Sequence, residues 1–121
     1  MQLSRFENIG KENLRQLIAD FYTGVKPDNL IGPMYPSDLP AAEERLFLFM
    51  MQFLGGPKTY NEKRGNPMLK RRHFDFDINV AARNRWMELM TIAIDKNNMP
   101  EAEKEYLREY FGETATFLLN R

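Results

Sequence analysis

The sequence predicts an all-α fold, and three observations carry that prediction. Apolar residues recur at helical spacing in four segments, proline, glycine and asparagine punctuate the segment ends, and no stretch alternates as a half-buried strand would. Leu14, Leu17, Ile18, Phe21, Tyr22 and Val25 define the first long helix, over residues 11–25. Pro27 ends it, because the residue before a proline avoids helical angles. The run Gly32-Pro33-Met34-Tyr35-Pro36-Ser37-Asp38 is rich in turn formers and has room for one short helical turn.

A second helix is expected over residues 40–54. Asp38 can cap it, Pro40 suits its first turn, and Glu43 and Glu44 stand where the helix dipole favours negative charge. Gly55-Gly56-Pro57 stops it. Its expected inner face is Ala42, Leu46, Phe49, Met50 and Phe53. Residues 55–78 follow as a long irregular segment with Tyr60, six basic residues (Lys58, Lys63, Arg64, Lys70, Arg71, Arg72) and His73, and a short helix fits at 66–72. Loops of this length inside a compact domain are uncommon and tend to be functional. The third long helix is expected over 80–96, capped by Asn79, with Ala82, Trp86, Leu89, Met90 and Ala93 inward. The fourth starts near Pro100 and carries Tyr106, Leu107, Tyr110, Phe111, Phe117 and Leu118.

The 121 residues suit a single domain, 1–121, large enough to bury a core. Seventeen basic and seventeen acidic side chains cancel, which argues against bulk attraction to nucleic acid or an anionic membrane. The absence of cysteine removes disulfides, thiolate metal sites and cysteine nucleophiles. The longest apolar run, Leu46 to Met51, is too short to span a bilayer, and the residues from Met1 to Glu7 lack the apolar core of a signal peptide. A cytoplasmic location is the expectation. Only one histidine is present, so any metal site built on two or more imidazoles of one chain is excluded.

His73 is either a structural histidine or a metal ligand acting through neutral imidazole, and residue type alone leaves both open. The basic run ahead of it suits a solvated loop, a phosphate patch or a grip on carboxylates, for which the planar fork of arginine is well shaped. Tyr22, Tyr35 and Trp86 each join an apolar body to one polar tip. They are either core aromatics or three donors turned toward one cavity. The stripe on the second helix is core unless something flat lies against it.

Taken in order, these residues form a recognisable series. Phe21-Tyr22, Pro33-Met34-Tyr35-Pro36-Ser37-Asp38-Leu39, Phe53-Leu54-Gly55-Gly56-Pro57 with Tyr60, Arg64-Gly65-Asn66-Pro67-Met68-Leu69-Lys70-Arg71-Arg72-His73 and Trp86 follow one another at family-like spacing. The chain thus resembles the truncated haemoglobins of the second group, from about Ile9 to Leu119. The resemblance implies a two-over-two helical sandwich around haem b, with His73 as the proximal iron ligand. It implies that Tyr22, Tyr35 and Trp86 stabilise bound ligand. Phe21, Ala42, Leu46, Phe49 and Met50 would line the distal pocket, with small Ala42 leaving an opening. Arg45, Tyr60 and Arg72 match propionate-contacting positions, and Leu69, Phe76 and Ile78 pack near the proximal side.

Two positions depart from the family pattern. The first glycine motif is reduced to Ile9-Gly10, leaving a short first helix within residues 2–8, and Asn66 replaces a usual histidine. The implied function is reversible binding of O2, NO, CO or peroxide, with slow oxygen release that suits redox chemistry better than bulk oxygen transport. Nitric oxide dioxygenase or peroxidase-like activity would need an electron donor, here unidentified. No nucleic acid and no membrane span is expected, and the assembly is a monomer or homodimer. The alternative is a cofactor-free helical interaction module that binds phosphate or nucleic acid through its basic loop.

Overall fold

A computed structural model describes residues 3–35, 37–59 and 78–119. Five α-helices run through them, with no strand among the described residues: α1 (Arg5–Ile9), α2 (Lys11–Val25), α3 (Leu39–Phe53), α4 (Val80–Lys96) and α5 (Glu101–Phe117). A single 3₁₀ turn, Gly32–Met34, occupies the place where one short turn was expected. The proposed helix at 66–72, and with it Tyr60, Leu69, Arg72, His73 and Phe76, lies outside the described residues.

α2 packs on α3 and also on α4, α4 packs on α5, and α1 rests on α2 and α5. The fold is therefore two helix pairs joined through α2. The six apolar residues that defined α2 in the sequence are all buried, and five of them, Leu14, Leu17, Ile18, Phe21 and Val25, are completely inaccessible. Asp38 accepts the Ala41 amide at 3.1 Å and Asn79 the Ala82 amide at 2.8 Å, so both expected caps form. At the far end of α3, Gly55 adopts φ 96°, a left-handed conformation that suits glycine. A β-carbon on neighbouring Gly56 would stand 2.8 Å from the Phe6 ring, so the double glycine lets α1 close onto the end of α3.

The expected inner face of α3 needs correcting. Ala42 and Met50 are buried as expected, but so are Phe47, Leu48 and Met51. Leu46 and Phe49 are half-buried, and Phe53 is 42% exposed. α3 is apolar nearly all round, so helical periodicity cannot single out one face. One side packs against α2, where the Arg15 guanidinium covers the Phe47 ring at 3.6 Å. On another, Phe53 stacks on Tyr110 of α5 with centroids 4.2 Å apart and on Phe49 of its own helix at 6.2 Å.

Smaller corrections apply elsewhere. The first helix is Arg5–Ile9 rather than a segment within residues 2–8. On α4, Ile94 is buried, while Trp86 and Leu89 are half-buried. On α5, Leu107 and Phe111 are buried but Phe117 is 57% exposed. At the corner between α4 and α5, buried Asn97 donates to the Asn13 carbonyl at 2.9 Å and accepts the Met99 amide at 3.0 Å, tying the second helix pair to α2.

Candidate functional site

Phe21 and Tyr22 are consecutive on α2, so their side chains leave the helix about 100° apart. Phe21 points at α4, its ring centroid 5.0 Å from that of Trp86. Tyr22 meets Tyr35 edge-on at 5.5 Å. Tyr35 stands just past the 3₁₀ turn in extended backbone, with its amide bonded to Gly32. The Trp86 indole Nε1 donates to the Tyr35 hydroxyl at 3.0 Å, closing the group. Thus α2, the 3₁₀ corner and α4 each supply one member of the expected trio.

Donor arithmetic narrows what this cluster can do. An indole has one N–H, and here it is committed to Tyr35. The Tyr35 proton is the one left uncommitted, because Tyr22 directs its own toward Tyr35 and the Ala42 carbonyl. The Tyr22 and Tyr35 hydroxyls lie within hydrogen-bonding reach of each other. Tyr22 also points at the Ala42 carbonyl at a long 3.5 Å. Trp86 therefore orients Tyr35, and the phenols carry the polarity.

Burial holds both phenols in the neutral, donating form. It pushes the Tyr22 hydroxyl well above the usual tyrosine range, with the neighbouring Tyr35 adding to the effect and Arg45 opposing it. It pushes Tyr35 up to about 12, against the donated bonds from Trp86 and Tyr22. For Tyr35 the native chain keeps a proton that the unfolded chain releases between pH 10.0 and about 12. Stability should fall as pH rises across that window. The melting temperature is expected to decline from about pH 10 upward, and to decline less in Tyr35→Phe. An equal decline in the variant would count against the assignment.

Around the phenols the lining is apolar. Phe21 and Met50 are fully buried and Leu46 and Phe49 half-buried. Ala42 is 4% exposed, and its carbonyl faces the Tyr22 hydroxyl. Arg45 follows one turn along α3, half-buried, and Ile78 is half-buried ahead of α4. Among the described residues no group of three or more histidine or acidic side chains could hold a metal, and every buried side-chain polar atom has a partner.

Sequence reasoning missed Asp28 and Arg85. Asp28 Oδ1 pairs with Arg85 Nε at 3.2 Å, while Asp28 Oδ2 accepts the amides of Leu30 at 3.1 Å and Ile31 at 2.9 Å. The signal available was Pro27-Asp28-Asn29, a turn former whose aspartate caps amides two and three residues on. Nothing in it points to Arg85, 57 positions later.

Residues 4–120 match the family described as bacterial-like globin. The group 2 truncated hemoglobin YjbI of Bacillus subtilis is 35% identical over 116 residues, spanning 96% of this chain and 88% of that one. Among solved structures, a thermostable hemoglobin from the actinobacterium Thermobifida fusca superposes with a TM-score of 0.94 at 41% identity, covering 98% of both chains. A truncated oxygen-avid haemoglobin from Bacillus subtilis superposes with a TM-score of 0.92 at 35% identity, covering 98% of this chain and all of its own.

Proposed function

Because this chain belongs to the bacterial-like globin family and sides with its group 2 truncated haemoglobins, we propose that it binds dioxygen, nitric oxide and carbon monoxide at a haem held by His73. Haem b is the cofactor of this family, and when bound it supplies the iron that takes a diatomic ligand. The described residues fit such a group. A flat apolar molecule needs an apolar wall, and the stripe of Leu46, Phe49 and Phe53 on α3 is one that neither α2 nor α5 fully covers. Arg45 on the same helix is a cation suited to a carboxylate edge. In this reading His73, Tyr60, Leu69, Arg72 and Phe76 complete the site from the remainder of the chain, with Ile78 beside them.

The observation that supports the reading best is the Trp86–Tyr35–Tyr22 cluster. Two neutral phenols, one braced by an indole, stand in a setting otherwise made of phenylalanine, methionine and alanine. Tyr35 donates its free proton to a ligand that gathers negative charge, Tyr22 does so once its hydroxyl turns from Tyr35 and the Ala42 carbonyl, and the apolar surround keeps water from competing. That arrangement slows oxygen release. It favours redox use over bulk carriage, such as conversion of nitric oxide and dioxygen with one electron to nitrate. The electron comes from a separate reductant. Peroxide is a further small substrate of the same pocket. Among the described residues no helix is long and apolar enough to cross a membrane. The family match does not favour the alternative of a cofactor-free phosphate-binding module.

Haem-reconstituted protein tests this directly. The Soret band is expected to shift with carbon monoxide and with oxygen, and the oxygenated protein to consume nitric oxide with nitrate as product. A spectrum indifferent to both gases would overturn ligand binding. Shifts without nitric oxide consumption would overturn the redox role alone.

A further inference from the structure

We propose that Asp28 and Arg85 are positioning residues for the distal tyrosines, an ion-pair clamp that fixes the 26–35 segment on α4 so that Tyr35 meets Trp86. This rests on the reading of Tyr35 as a ligand donor. Tyr35 does not belong to a helix; only the three-residue turn Gly32–Met34 precedes it. Its direction therefore depends on what holds the segment behind it.

Asp28 holds that segment from every side. Its amide donates to Val25, its carbonyl accepts from Gly32, and its carboxylate takes two further amides of the turn. The remaining oxygen reaches Arg85, and the carboxylate is only 12% exposed. Arg85 is oriented in turn by Glu88 one turn along α4, through a 2.9 Å bond from Nη1. Arg85 and Trp86 are adjacent, so α4 grips the same segment twice, at Asp28 and at Tyr35. One contact alone lets the segment pivot; two fix its orientation. Releasing the outer contact leaves the Trp86–Tyr35 bond to hold this segment on α4 by itself, with less to stop the Tyr35 hydroxyl turning away from Tyr22 and the pocket.

The single tryptophan provides the readout. In the haem-loaded carbonmonoxy protein, one indole N–H cross-peak reports the Trp86–Tyr35 bond, and Tyr35→Phe supplies its unbonded reference position. Asp28→Asn keeps acceptors for the Leu30 and Ile31 amides while removing the charge, and Arg85→Gln removes the other partner. Both are expected to move the indole resonance toward the Tyr35→Phe position and to quicken oxygen release about two- to fivefold, as suits a partly exposed ion pair. Arg85→Lys should restore most of the wild-type position. An indole resonance that stays at its wild-type position in both variants, even with a lowered melting temperature, would overturn the clamp. If Tyr35→Phe itself leaves oxygen release unchanged, the donor reading of Tyr35 fails instead, and the indole shifts still decide whether the clamp orients it.

Discussion

Replacing His73 with alanine is expected to abolish stoichiometric haem retention by the reconstituted protein. The chain contains no second histidine and no cysteine to take its place. Methionine and tyrosine remain, but neither matches neutral imidazole as the one protein ligand of a five-coordinate ferrous site. The loss should exceed the roughly 10–100-fold in affinity that follows removal of a group merely bracing a metal ligand. The measurement is Soret absorbance per mole of protein after gel filtration, with and without added imidazole. Recovery of a five-coordinate spectrum on adding imidazole would identify the lost group as an iron ligand. An unchanged Soret band in His73→Ala would remove the histidine from the site.

The second large effect concerns the two phenols. Tyr35→Phe or Tyr22→Phe should each quicken oxygen release roughly tenfold, as a loss of about 1.4 kcal/mol would give, and the double substitution should depart from the roughly hundredfold of independent sites. Carbon monoxide gathers less charge on its outer atom, so its release should change far less. Stopped-flow replacement of each gas separates the two. Comparable acceleration for both gases would point to a widened pocket rather than to lost hydrogen bonds. Adding the two substitutions tests a further point: the hydroxyls lie within reach of each other, so their effects should not be strictly additive.

Much of this architecture could be read from local chemistry. α2 was legible because its buried set repeats every three or four residues and the intervening positions are polar. The starts of α3 and α4 were legible because Asp38 and Asn79 are strong caps. The Tyr22, Tyr35 and Trp86 trio could be named in advance, since each has a polar tip that burial obliges to find a partner. Which partner it finds could not. The Trp86 N–H turns to Tyr35 because the 3₁₀ corner brings that hydroxyl to α4, a fact of tertiary placement across 51 positions. The same holds for Asp28 and Arg85. For α3 the difficulty was a different one: a helix apolar on all sides carries no record of which side meets which neighbour.

Burial in α1 depends on a partner from the other end of the sequence. Five residues cannot hold a helix unaided. This one has a capping box between Ser4 and Glu7, a backbone bond from Phe6 to Leu54, and an ion pair from Arg5 to Glu103 across 98 positions. Glu103 is 5% exposed and also takes the Asn8 side-chain amide, so among the described residues its charge is answered from α1. It follows that Arg5 and Asn8 meet their common partner only once α5 is in place. The charged face of α1 is thus a latch that α5 closes, whereas its packing on α2 and its backbone bond to Leu54 need neither Glu103 nor α5.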